Sequence, residues 1–429
     1  MSLTFPVLLS LIAEPVTGLV DTAFIARLGS EALAALGVGT MALSSVFWIF
    51  NFLGIGTQTE VAQALGTRSL TKTSRMGSLA LLLGVGLGIL LATIGYLAAA
   101  PAVHLLGATG IVADLAQSYI RLRLLSAPAV LLTIAAFGAL RGLQDMRSPL
   151  YVAIGINALN ISLDAVLIYG WGPIPALGIE GAAIASSASW WLGAMGAVAV
   201  VLKRLGFPDR IPAEITIKLL RVGGDLFIRT GFLTLFLLLG TRTATLIGPE
   251  AGAAHQAVRQ VWVFTSLFLD AFAISGQSLI GYFIGGGQVG EARRAAAMVC
   301  LWSGVTGTVL ALIMWTGWRL VATALVPPTA ISVFISGWFV AAAMQPLCAL
   351  SFATDGIHWG TGDFRYLRNV IVLASFCGGI ALACIDTEWP GAFTAVWVIT
   401  GGWIIIRALF GMLRIWPGIG KSPLTNVEG

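Results

Sequence analysis

Twelve apolar stretches, each about 20 residues or longer, constrain this chain more than any other feature. They run approximately over 3–26, 33–63, 76–100, 114–140, 149–170, 178–202, 218–246, 251–282, 293–317, 330–357, 366–385 and 391–413. A hydrocarbon layer about 30 Å thick takes about 20 helical residues to cross. Inside it a backbone polar group finds no water, so a spanning segment satisfies its own hydrogen bonds as a helix. Charged residues make up only 10% of the 429, against about 25% in soluble domains. The expected fold class is therefore an all-α polytopic membrane protein with 12 transmembrane helices, and the lipid bilayer is its first partner. The pI near 9.2 does not point to nucleic acid, because the basic residues sit in short loops between spans. No nucleic-acid partner is expected. The first span begins almost at Met1 with no signal peptide visible, which leaves room for a cytoplasmic leader ahead of it.

Loop charge sets the orientation. Arg68, Lys72 and Arg75 lie between spans 2 and 3, and Arg141 and Arg147 between 4 and 5. Lys203, Arg204, Arg210, Lys218 and Arg221 follow span 6. Arg293, Arg294, Arg365 and Arg368 occupy later loops of the same side, and Arg407, Arg414 and Lys421 follow or end span 12. Only Arg27 and Arg319 lie near the alternate loops. Both termini are thus expected in the cytoplasm of a cell in whose inner membrane the chain sits. The cysteines, Cys300, Cys348, Cys377 and Cys384, have no metal-ligand spacing and read as small buried hydrophobes.

The halves repeat. At an offset of 218, residues 128–147 match 346–365, with Pro128/Pro346, Gly138/Gly356, Gly142/Gly360, Asp145/Asp363 and Arg147/Arg365 among the pairs. At 219, Glu31/Glu250, Gln58/Gln277 and Gly66/Gly285 also match. An even number of spans per half makes the repeats parallel, related by a pseudo-two-fold axis along the membrane normal. The expected organisation is an N-terminal six-helix lobe (1–202), a cytoplasmic linker (203–217), a C-terminal six-helix lobe (218–414) and a cytoplasmic tail (415–429), with a cavity between lobes that rock.

In span 5, Asn157, Asn160 and Asp164 stand at i, i+3 and i+7, on one helical face. Two amides and a carboxylate on one stripe of a membrane helix are costly and require partners. The motif Glu14-Pro15-Val16-Thr17-Gly18-Leu19-Val20-Asp21-Thr22 in span 1 places another acid within lipid depth. Further motifs are Gly181 to Ser186 in span 6, Asp225 with Arg229 in span 7, Leu269 to Ala273 in span 8 and Asp355-Gly356 in span 10.

In combination these motifs, over essentially the whole chain, resemble the multidrug and toxic compound extrusion (MATE) transporters, most closely their DinF-like branch. The resemblance implies cation-coupled antiport that exports bulky, cationic or amphipathic compounds by alternating access, with no bound cofactor and H+ or Na+ as the coupling ion. It implies that Asp21, Asn160 and Asp164 carry the coupling, and that Pro6 stands where span 1 bends in the family. Ser186 occupies a span-6 position that is often Thr there, keeping the hydroxyl. A monomer is expected.

Depth supports the same site without the family. At 1.5 Å per residue, Asp21 lies roughly 8 Å, Asp164 roughly 9 Å and Ser186 roughly 12 Å below the outer ends of their spans. Two carboxylates facing each other in an apolar pocket make each other's charge costly, so a proton is readily held there. Carboxylate, amide and hydroxyl oxygens suit sodium equally, with Asp21, Asn160, Asp164 and Ser186 as its ligands. The bland reading ties each aspartate to a hydroxyl or backbone group. By the repeat, Asp21 corresponds to Gly240 and Asp164 to Leu382, so the site exists once.

The C-terminal half holds a second polar cluster, Asp225, Arg229, Asp270 and Asp355, toward the cytoplasmic side. Asp225 and Arg229, one turn apart, read as an ion pair or as substrate contacts. Pro6 and Pro15 are helix-bend candidates, static or responsive to Asp21. Arg121 and Arg123 open span 4, and Arg242 and Arg259 lie in the outer parts of spans 7 and 8; all four either line a cavity that favours anions or snorkel. His104, His255 and His358 carry no assigned role.

Three alternatives fit the sequence less well. A lipid-precursor flippase of the same superfamily tends to have a basic cavity and extra spans. The loop Gly66 to Lys72 lacks the Asp-Arg pair of a major-facilitator transporter. No HExxH or GxSxG motif supports an enzyme.

Overall fold

The computed structural model describes residues 3–206 and 213–425. Residues 207–212 of the 203–217 linker therefore lie outside the described residues. Among those described there are fifteen α-helices and no β-strand beyond a single bridge between Trp171 and Ile174. The helices are α1 (Thr4–Ala26), α2 (Ser30–Ile49), α3 (Asn51–Gly66), α4 (Leu70–Leu105), α5 (Gly110–Leu124), α6 (Ala127–Gly142), α7 (Arg147–Tyr169), α8 (Gly178–Leu205), α9 (Ala213–Ile247), α10 (Pro249–Gly285), α11 (Val289–Leu325), α12 (Ile331–Ala343), α13 (Gln345–Thr361), α14 (Phe364–Ala383) and α15 (Ala392–Ile415).

Ten helical segments are long and apolar enough to cross a membrane, and two bent pairs bring the total to 12. The pairs are α5 with α6, bent by 50°, and α12–α13, bent by 48°. The bends fall at repeat-equivalent places, Ser126 and Met344, each two residues before a matched proline. Proline lacks the N–H that would continue the preceding helix, and its ring crowds the turn before it. A matched pair of prolines thus breaks the same span in each half.

The chain divides into two compact units, Met1–Gly223 and Gly224–Gly429. The division falls inside α9, which starts at Ala213. Within each unit the same glycines let the bent span touch its neighbour. A Cβ on Gly138 would lie 2.4 Å from the Gly54 carbonyl oxygen, and one on Gly356 would lie 2.3 Å from that of Ala273. Those distances are impossible for any larger residue, so backbone meets backbone at both points, as small residues permit between membrane helices. The repeated Asp145 and Asp363 also serve structure. Asp145 accepts from the Arg147 and Ser148 amides at the start of α7 (3.2 and 3.0 Å). Asp363 accepts from Arg414 Nε at 2.7 Å at the start of α14.

One expectation fails here: Cys300 and Cys348 are buried, but Cys377 and Cys384 are exposed. Arg407 and Arg414, expected at or after the end of span 12, fall inside α15 and are buried, with Thr400 one heptad earlier on the same stripe.

Candidate functional site

The site forms where α1, α5, α7 and α8 converge within the first unit. Gly181 brings α8 against the end of α7, since a Cβ there would stand 2.4 Å from the Leu167 carbonyl oxygen. At the C-terminal end of α1, the Tyr169 hydroxyl donates to the Phe24 carbonyl (2.8 Å), and the two rings meet edge to face at 5.9 Å. Below that clamp the polar stripe of α7 meets its partners in turn. Asn157 Oδ1 accepts from Thr17 Oγ1 at 2.8 Å, while its Nδ2 donates to the Ala153 carbonyl. Asn160 is buried, and its Nδ2 donates to Ser186 Oγ at 3.2 Å. Asp164 is completely buried, and its carboxyl group is a side-chain neighbour of Asp21.

Asp21 Oδ1 and both Asp164 oxygens are buried without a hydrogen-bond donor. An ionised carboxylate only accepts hydrogen bonds, so two of them side by side supply no donor to each other. Burying such groups unpaired is costly. The arrangement is completed by a proton on one carboxyl, which then donates to the other, or by a cation between them. Such a proton belongs to the pair rather than to either residue.

The structure thus brings together Asp21, Asn157, Asn160, Asp164 and Ser186. It adds two residues, Thr17 and Arg123, that the sequence reading does not place at the coupling site. Thr17 is the partner of Asn157. Arg123, whose Nη1 donates to Ser126 Oγ at 3.1 Å, exerts its charge on both aspartates and on buried Tyr119. Arg123 reads in sequence as opening span 4, yet it lies just before the bend, at mid-span. Pro128, five residues on, was the signal for that bend. Of the two prolines, Pro15 lies inside α1, whereas Pro6 is its third residue, where the missing N–H has no intrahelical partner to lose.

In the second unit the predicted cluster is wired differently. Asp225 does not pair with Arg229. It accepts from Arg368 Nη1 at 2.5 Å and lies 3.9 Å from Arg365. Arg229 instead pairs with Asp355, which also accepts from Arg407 Nη2 at 2.8 Å. Asp355, from another span, meets two buried guanidiniums at once, Arg229 and Arg407, while Asp225 pairs with the more exposed Arg368. Asp270 adds its charge near Arg229. The guanidiniums also lie over aromatic rings, Arg229 at 5.1 Å from the Trp359 centroid and Arg407 at 4.4 Å from that of Trp403. Among the described residues, no group of three or more His, Cys, Asp or Glu side chains is placed to hold a metal ion.

A bundle of twelve spans in two repeated halves, with one buried carboxylate pair at lipid depth, defines the class of secondary transporters built from parallel repeats. Comparison with known proteins makes the class specific. The sequence model of the MatE family matches residues 6–166. "Protein DETOXIFICATION 44, chloroplastic" of Arabidopsis thaliana is 31% identical over 94% of this chain and 81% of its own length. "DNA damage-inducible protein F" of Escherichia coli K12 is 28% identical over 96% of this chain and 90% of its own. A solved structure described as MATE in the bent conformation superposes with a TM-score of 0.88 at 20% identity, covering 96% of this chain and 94% of that one. The chain belongs to the MATE family of multidrug and toxic compound transporters, and DinF is among its relatives.

Proposed function

We propose that the protein is a proton- and/or sodium-coupled antiporter that exports bulky cationic or amphipathic compounds by alternating access. It would act as a monomer in the inner membrane, with both termini in the cytoplasm. The carrying observation is the Asp21–Asp164 pair, in which Asp21 Oδ1 and both Asp164 oxygens are buried without a donor. An ion entering from outside neutralises the pair. It thereby changes how α1 packs on α7, an interface that rests on the Thr17–Asn157 and Tyr169–Phe24 bonds. If the ion is sodium, Asn160 and Ser186 supply the remaining oxygens.

An ion drives export only by binding one state better than the other. The membrane potential contributes about 2.3 kcal/mol per charge per 100 mV. The test uses proteoliposomes loaded with a cationic dye, with proton and sodium gradients imposed separately. At least one gradient is expected to drive export by the wild type and neither by Asp21→Asn or Asp164→Asn. Full-rate driven export by either variant defeats the assignment.

A further inference from the structure

The second unit has a cavity at the repeat-equivalent place. Phe236, Gly240, His255, Arg259, Trp262 and Trp397 line it, from α9, α10 and α15, and it has room for about one water-sized group. Gly240 is the counterpart of Asp21, so the acid of one lobe is replaced by empty space in the other. Charge there has the opposite sign. Arg259 faces the cavity, and no carboxylate among the described residues is paired with it. Ion pairs of this unit use Arg229, Arg368, Arg407 and Arg414 instead.

Three buried nitrogens of the lining lack partners: Arg259 Nε, Trp397 Nε1 and His255 Nδ1. His255 is 6% exposed and Trp397 4%. Thr241 Oγ1 gives its proton to the Leu237 carbonyl at 3.0 Å, so it accepts from His255 Nε2 at 3.2 Å. In the neutral ring Nδ1 is then an acceptor, and the donors at hand are the guanidinium and the indole N–H. The imidazolium would add a third. A guanidinium and an indole N–H around a one-atom space, with no carboxylate among the residues that line it, form a site for an anion.

We propose that this cavity binds a small monovalent anion, a halide or the oxygen of a carboxylate, which serves as the counter-ion that the lobe's own sequence omits. The site does not depend on the coupling pair in the first unit.

The experiment measures the unfolding midpoint of the purified full-length protein at constant ionic strength, with gluconate exchanged for chloride, bromide or acetate. A ligand that binds only the folded state raises the midpoint saturably. The wild type is expected to show that rise. A rise with chloride and bromide alone identifies a free halide, and an equal rise with acetate identifies a carboxylate. Arg259→Gln is expected to lose the rise. Gly240→Asp supplies an internal carboxylate at a position with nothing within 4 Å of its Cβ. That variant is expected to be insensitive to anions, with a midpoint in gluconate matching that of the wild type in chloride. A wild-type midpoint indifferent to all three anions overturns the proposal, as does a rise that survives undiminished in Gly240→Asp.

Discussion

The same pair of helix faces is polar in one half of the molecule and apolar in the other. In the first half α1 meets α7 through Thr17 with Asn157 and Asp21 with Asp164, and Asn160 turns to Ser186. By the repeat, α9 and α14 set Phe236, Gly240, Ser375, Gly378 and Leu382 at those positions. There the Phe236 ring fills the space that Gly378 leaves, so that a Cβ on Gly378 would come within 2.6 Å of it. The ring stacks on Trp403 at 4.8 Å, and Trp403 Nε1 donates to Ser375 Oγ at 3.1 Å. Backbone approaches such as Gly138/Gly356 are common to both halves, but the filling of the groove is not. Close helix packing depends on residue size and survives in both copies, whereas an ion site depends on a few polar atoms and persists in one. The second half places its buried charge elsewhere, in the Arg229–Asp355–Arg407 group.

This contrast yields predictions of decreasing size. Truncating Asp355 to Ala leaves two guanidiniums buried without their anion and is expected to cost about 3–5 kcal/mol of stability, read by denaturation of the purified protein. A silent Asp355→Ala would mean that the second half does not rest on this group. Asp164→Asn is expected to lower gradient-driven dye export about tenfold or more, some 1.4 kcal/mol per decade, with little change in the unfolding midpoint. A reversed outcome, folding lost and export kept, would exchange the roles assigned to the halves. Gly138→Ala and Gly356→Ala are each expected to cost about 1–3 kcal/mol through backbone collision. Similar costs support a shared scaffold, and a large inequality in the same denaturation assay breaks it. Thr17→Val removes one hydrogen bond, worth about 0.5–1.5 kcal/mol. It is expected to shift the ion concentration for half-maximal export while the maximal rate stays.

Much of this was legible from residue order alone. Long apolar runs have one solution in lipid, so all twelve spans and the two-half repeat were readable. The stripe Asn157, Asn160, Asp164 was visible because helical spacing fixes a common face. Less legible was whatever depended on bends and on competition between partners. Arg123 joins the site only because the span breaks just after it. Arg407 reads as one of the charges that follow or end span 12, although the heptad spacing of Thr400, Arg407 and Arg414 within α15 marks a buried stripe. The Asp225–Arg229 pair followed from local spacing, and it failed because Asp355 reaches Arg229 from a different span.

The most direct test counts ions exchanged for substrate by the purified protein. On addition of a cationic dye, the wild type is predicted to release protons or sodium in proportion to the dye bound, and Asp164→Asn to bind dye with no release. Undiminished ion release by Asp164→Asn would contradict a single coupling site in the first half.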